Sequence, residues 1–251
     1  MFDKLRLKLA SFIAPKSSAS YRQARESDNH PCWHPAHRSG DAAISDSWAL
    51  LTARIRDQVR SDPMLIKTET MLSVLTLGSG ILTRADARDS DRNPIEDFNA
   101  ESDYWFGHWA ANEADYYRVL TLDGMIRQAF CDMVEVGNSF LIETQSRDNE
   151  IIPLCYQLVE WEQVAREYDR PGNDRGGNRI ENGIEYDSNG RKAALYLYTE
   201  HPYSDMTSGY RIQRVPWSRV IHNFMPPRIS ANSGISWLAP LMLTAKDMDW
   251  Y

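Results

Sequence analysis

The segment RVPWSRVIHNFMPPRISANSGISWLAPLMLTAKDMDWY, residues 214–251, decides the fold class. Val220 to Phe224 is a short apolar run with strand character. An irregular proline-containing loop follows, and then a helix with Leu238, Leu241, Ala245 and Met248 on one face. Helices usually close on a glycine or asparagine cap. None stands before Trp250-Tyr251, so the sequence is expected to stop inside a helix.

Upstream of this segment the pattern stays strand-like. Ala193 to Tyr198 and Ile184 to Asp187 read as a hairpin around Asn189-Gly190, a pair that tolerates the left-handed backbone of a tight turn. Ile151 to Val159 and Ser139 to Thr144 read as two further strands joined by the polar turn SRDNE. Before Gly137 the period changes to that of helices. Leu122, Ile126, Ala129, Phe130, Met133 and Val136 line one face of a helix that Gly137 ends. Phe98, Ser102, Trp105 and Trp109 line another, started by Asn93-Pro94. Leu65, Thr68, Leu72 and Leu75 line a third, with Asp62 as cap, Pro63 at its first position and Gly78 at its end. Ile44, Trp48, Leu51, Ile55 and Val59 line the first, from Ser45 to Arg60. Helices first and antiparallel strands later predict an α+β fold. Residues 1–44 read as a flexible basic and polar arm, and residues 45–251 as one folded region.

The formal net charge of −7 is unevenly spread. Residues 1–60 hold ten Lys/Arg and six Asp/Glu, or +4, leaving 18 against 29, or −11, for the rest. An acidic body disfavours tight, sequence-independent DNA binding, which depends on neutralising phosphates. It is compatible with a wall past which DNA slides. The odd count of three cysteines, without disulfide-like or metal-like spacing, fits a reducing cytoplasm. The opening MFDKLRLKLASFIAPK lacks the apolar core of a secretory signal. No run of 18 apolar residues predicts a membrane span.

Candidate chemistry is sparse. His30, Cys32, His34 and His37 crowd one short stretch and leave a small metal-binding protein as one alternative, but their spacing matches no common zinc site, and a solvated arm is the default reading. The glycines of RPGNDRGGN lack the strand before and helix after that a phosphate loop needs. Among the carboxylates Asp123, Asp132, Glu135, Glu160, Glu162, Glu185 and Asp187, nothing singles out a catalytic pair. Glu160 and Glu162 flank Trp161 and would share one side of an extended strand, leaving a carboxylate-dependent hydrolase or nuclease as the alternative. His222, alone in a strand, reads as structural. Trp105 and Trp109 stand among acids, so core packing is the better reading than base stacking. Arg54, Arg56 and Arg60 form the clearest basic cluster, read as an outer face paired with neighbouring acids, with contact to DNA as the sharper alternative. No catalytic residue, metal or cofactor is called for.

At the level of motifs, the chain resembles the lambda-like portal proteins of tailed phages from about Leu51 to Tyr251. LTARIRDQVRSDP matches a family opening at Arg54, Arg56, Arg60 and Pro63. Gly78, Gly80 and Ile81 follow as a G-x-G-I turn, and Trp105 and Trp109 as W-x-x-x-W-A. Gly137 and Phe140 match V-x-G-(E/N)-x-F. PLCYQLVEWEQV keeps Glu160 but has Trp161 and Glu162 where proline and aspartate are more usual. IENGIEYDSNGRKAALYLYTEHP keeps Gly183, Glu185, Asp187, Gly190, Arg191, His201 and Pro202, and RVPWSRVIHNF keeps Pro216 and His222. The following loop keeps Arg228, Gly234, Ile235, Trp237, Leu238, Ala239 and Pro240, but has Ala231, Ser233 and Ser236 where Gln, Arg and Pro are usual.

The resemblance implies a non-enzymatic structural subunit. Family members form a homo-oligomeric ring of twelve at one capsid vertex, in the virion and, during assembly, in the host cytoplasm. They dock the terminase large subunit, join capsid and head-tail proteins, and pass double-stranded DNA without a small-molecule substrate. It also implies that residues 45–251 are the N-terminal half of a wing-like region, in a chain about half the family's length. Such a chain is expected not to close a terminase-competent ring by itself.

Overall fold

The computed structural model describes residues 37–146, 152–172, 177–205 and 211–248. The arm residues His30, Cys32 and His34, most of the SRDNE turn, the centre of RPGNDRGGN and Trp250-Tyr251 lie outside the described residues. Internal contacts separate residues 1–38 from a compact unit, Ser39–Tyr251, and the architecture below is that of the second.

Among the described residues, five helices come first: α1 (Gly40–Ser45), α2 (Trp48–Ser61), α3 (Pro63–Leu77), α4 (Glu96–Asn112) and α5 (Leu122–Val136). Seven strands follow: β1 (Asn138–Gln145), β2 (Leu154–Val159), β3 (Arg179–Glu181), β4 (Ile184–Tyr186), β5 (Lys192–Tyr198), β6 (Ile212–Pro216) and β7 (Val220–Phe224), and then α6 (Met242–Met248). The described strands pair antiparallel with one another, in two sheets ordered β2-β1-β7 and β3-β4-β5-β6, and an isolated parallel bridge joins Asp115 to Tyr156. The architecture is α+β.

Helix boundaries follow local chemistry. Asp62 accepts a hydrogen bond from Met64 N and Pro63 occupies the first helical position, so α2 and α3 are separate helices. Thr121 caps α5 through Gly124 N, and Gly137, at φ 90°, ends it in the left-handed region. The α4 start differs from expectation. Asn93 and Pro94 belong to a small irregular turn, bridged by Arg88 and Pro94 and organised by the Asp89 carboxylate, and α4 begins at Glu96 without a side-chain cap. Residues 40–44, read as arm from composition, form most of α1, whose Asp41 and Ile44 are buried.

Strands β3 and β6 were not evident from periodicity. The β3 turn signal is nevertheless present: Asn182 and Gly183, both at positive φ (53° and 74°), join β3 to β4 as a two-residue hairpin loop. A second Asn-Gly pair seven residues later drew attention to the β4–β5 turn, where Asp187 accepts from Asn189 N and Arg191 N. Asp187 is therefore a turn residue, not the end of β4. Strand β6 is mostly exposed, with only Val215 buried, so it lacks a clear alternation.

Three apolar clusters hold the unit together. One lies between the sheets, with Phe140, Trp161, Ile184 and Leu195 at its centre. The second joins α2, α3, α5 and α6 through Ile55, Leu65, Phe130 and Met242. The third fixes the C-terminal end of α4 by Trp109, whose indole N–H donates to Leu154 O at 2.7 Å. Trp109 is thus a core residue. Trp105 is only half-buried and packs edge-on to Tyr104 and His108. The predicted α3 stripe also splits: Leu65 and Leu72 face inward, whereas Leu75 is 78% exposed.

Candidate functional site

The family-like positions converge most strongly where residues 225–240 fold back over the α5–β1 junction. Two backbones meet there at a distance that allows no side chain. A Cβ on Gly234 would lie 2.0 Å from Gly137 O, and one on Gly137 would lie 2.5 Å from Ile235 N. Glycine is required at both positions by space, and at Gly137 by its positive φ as well. The Asn138 side chain then completes the contact. Its Nδ2 donates to Gly234 O (3.1 Å) and its Oδ1 accepts from Gly234 N (2.8 Å). Trp237 N and Ser236 Oγ donate to Val134 O, one of the carbonyls that a helix end leaves unpaired. Trp237 rests its ring edge-on against Phe130, Leu238 is buried, and Pro240 and Arg228 are exposed beside them.

His222 is the polar centre of this junction. Lys192 Nζ has only protons to offer, so His222 Nδ1, 3.1 Å away, must accept. The ring proton is therefore on Nε2, which donates to Asn138 Oδ1 at 3.0 Å. The imidazole stacks on Phe140 and Phe224, with ring centroids 4.3 and 4.2 Å away. Burial, and secondarily the Lys192 charge, push its pKa down to about 2. Lys192 in turn donates to Asn232 O (2.8 Å), lies over the Trp217 and Phe224 rings, and is pushed down to about 8 by burial. Asn232 N and Nδ2 donate to the two oxygens of Asp41 on α1.

His222 is thus a neutral Nε2–H tautomer, and ¹⁵N NMR should show no imidazole titration between pH 8 and 4. An ordinary transition near pH 6.5 would contradict the geometry.

A second convergence surrounds Arg56. Its Nε meets Glu162 at 3.1 Å, its Nη1 meets Glu135 at 2.5 Å, and its Nη2 bonds Asp132. One guanidinium therefore ties α2, α5 and the turn after β2. Four carboxyls crowd one cation when Glu69 is included: burial, and then Glu135, push Glu69 up to about 7. Burial also pushes Asp132 up, against the pull of Arg56. Arg54 and Arg60 take no part. Both are exposed, and Arg60 makes only a 3.6 Å surface pair with Asp57. The basic cluster of the sequence thus divides into one buried tie and two surface charges.

The third convergence lies on the second sheet. Glu185, buried and pushed down to about 2 chiefly by its hydrogen bonds from Arg214, also accepts from Asn178 and the Tyr196 hydroxyl. Gly183 lets this sheet approach the chain after β2, because a Cβ there would lie 2.8 Å from Ala165 O. Beside it, Arg166 is held between the Trp48 and Trp161 rings, 4.2 and 4.6 Å from their centroids, and donates to Asn182 Oδ1. Gly190 and Arg191 form the exposed β4–β5 tip, and Pro216 pairs with Ala194.

Glu160 and Glu162 do not form a carboxylate pair. Glu160 caps the short turn Trp161–Gln163 and meets His201 at 3.1 Å, with Pro202 following, while Glu162 faces Arg56. Among the described residues, no group of three or more His, Cys, Asp or Glu is arranged to hold a metal. His37 is exposed. Sequence reasoning missed Asp41, Arg166, Lys192 and Asn232. Asn138 alone carried a signal, as the polar residue directly after the helix-ending glycine.

The family model described as "Phage portal protein, lambda family" matches residues 26–251. No curated protein matches the chain. Among solved structures, one similar chain comes from the "Neck of empty GTA particle computed with C6 symmetry". It has 12% identity and a TM-score of 0.45 over 84% of this chain and 48% of that chain. This chain therefore spans about half the length of that neck protein. With a family match over nearly all of its residues, the chain belongs to the lambda family of phage portal proteins.

Proposed function

We propose that the chain acts as a structural subunit of a portal ring at one capsid vertex, contributing residues 45–251 as the first half of a wing-like region. The observation that carries this is the family match over residues 26–251. The arrangement of the family-like residues supports it. Gly137, Gly234 and His222 lock a loop onto a helix end, Arg56 ties helices, and Glu185 braces a sheet. These are roles in holding shape rather than in presenting a reactive group to a substrate. In this reading the partners are other copies of the chain, the terminase large subunit, the capsid and head-tail joining proteins, and double-stranded DNA in transit. The acidic balance beyond residue 60 suits DNA that passes without being held.

The test is where the chain resides. Gold-labelled antibody raised against it should mark a single vertex of each particle, at the neck. Label spread over the whole shell, or none on purified particles, would overturn the proposal.

A further inference from the structure

Helices α3 and α4 carry apolar side chains that the other described residues leave exposed. Helix α3 is apolar on nearly all sides, a pattern expected for a helix with neighbours all round. Its inward side meets α5 and α2 through Leu65 and Leu72. Its outward side, at helical spacing, is Met64, Lys67, Met71 and Leu75, with Met64 66% and Leu75 78% exposed. Lys67 has no ion-pair partner among the described residues.

Helix α4 shows the converse composition. Its stripe Phe98, Ser102, Trp105 and Trp109 is buried at Trp109, half-buried at Ser102 and Trp105, and exposed at Phe98. Phe98, about three turns before Trp109, is 56% exposed, and Tyr104, on the neighbouring face, is 67% exposed. Asp97 and Glu101 flank these rings and also lack an ion-pair partner among the described residues. An apolar stripe that runs past the edge of its own core has a place to dock but nothing among the described residues to dock against.

We propose that the outward face of α3 on one copy packs against the exposed Phe98 and Tyr104 of α4 on a second copy. The two faces are complementary and not alike. Flexible methionine and leucine side chains with a free lysine oppose rigid aromatic rings with free carboxylates. Methionine sulfur packs well against ring edges, and opposite charges at the rim select the partner. The faces belong to different packing clusters of the same chain. The contact is therefore heterologous: each copy has one of each face left over, and repetition by rotation gives a ring or an open filament. The inference rests on the ring reading above and assigns that reading a surface.

Mixing two variants provides the test. Leu75→Glu removes the α3 face and Phe98→Asp removes the α4 face. Both positions are exposed, so each variant should keep the circular dichroism spectrum and unfolding midpoint of the wild type. In sedimentation velocity, the wild type should associate beyond dimers, and each variant alone should be monomeric. An equimolar mixture should form one-to-one dimers and nothing larger, because it retains a single matching pair of faces. Lys67→Glu or Glu101→Lys should each weaken association by about tenfold at low salt, and their combination should restore it. Association that survives in both apolar variants would overturn this surface and leave the vertex role intact, since antibody labelling tests that role separately. A mixture that stays monomeric, or a wild type that never associates, would overturn the proposal outright.

Discussion

Gly234→Ala is expected to lower the stability of the folded unit by at least about 3 kcal/mol, at the upper end of what overpacking costs in a closely packed interior. The thermal midpoint should fall by roughly 6–12 °C, since each kcal/mol moves a unit of this size by about 2–4 °C. The added Cβ would lie 2.0 Å from Gly137 O, and the obstacle is backbone that no rotamer change can clear. Either the loop lifts, breaking the Asn138 pair with Gly234 and exposing Leu238, or the end of α5 unwinds. Gly137→Ala should be at least as severe, because it combines a 2.5 Å collision with a φ of 90°. Gly190→Ala is the control. It also has a positive φ, 78°, but a Cβ there meets nothing within 4 Å. Only the backbone strain of about 1–2 kcal/mol should appear. Thermal unfolding of the three variants would separate collision from strain. Equal losses at Gly234 and Gly190 would show that the loop does not seat as described.

Arg56→Ala should be the most damaging single charge removal, costing about 3–5 kcal/mol, because three mostly buried carboxylates would lose their common partner. The loss should depend on pH in a definite direction. Carboxyls whose pKa is raised in the folded state hold protons there that the unfolded chain releases near pH 4. Their contribution is whole below about pH 4 and is lost as pH rises through the folded value. Glu69, pushed up to about 7, places that window between about pH 4 and 7 in the wild type. Without Arg56, the remaining carboxyls join it. Urea midpoints should show a larger deficit at pH 8 than at pH 5. Arg56→Lys should recover only part of it, since an ammonium cannot reproduce the fork that reaches Asp132, Glu135 and Glu162 together. A deficit independent of pH would mean that Arg56 acts through packing alone.

Much of the fold was legible because local signals coincided with tertiary demands. Asp62-Pro63, Thr121 and Gly137 punctuate the helices in the structure as in the sequence. Two strands were missed for different reasons. Strand β3 is three residues long and has only its Asn-Gly turn to announce it, and β6 buries one residue of five. The stripes on α3 and α4 were read as inward throughout, because periodicity locates an apolar face but not its cover. At the junction, Gly234 and His222 could be chosen from family-like motifs. Lys192, Asn232 and Asp41 could not, since each matters through a neighbour 30 to 191 positions away. The departures Ala231, Ser233 and Ser236 all lie inside the seated loop. All three are buried, with Ala231 against Gly40 and Ser236 bonded to Val134 O.

The bond from Asn232 to Asp41 spans 191 positions of chain. Closing so large a loop adds little entropy per extra residue, but it fixes an order of events. On the ribosome, Asp41 of α1 emerges 191 residues ahead of its partner Asn232. Helices α1 to α5 and both sheets can form while synthesis continues, yet the clasp between α1 and the loop must wait until residue 234 is free. The completion of this junction is thus set by translation, so a copy whose synthesis has not yet passed residue 234 cannot present it to its neighbours.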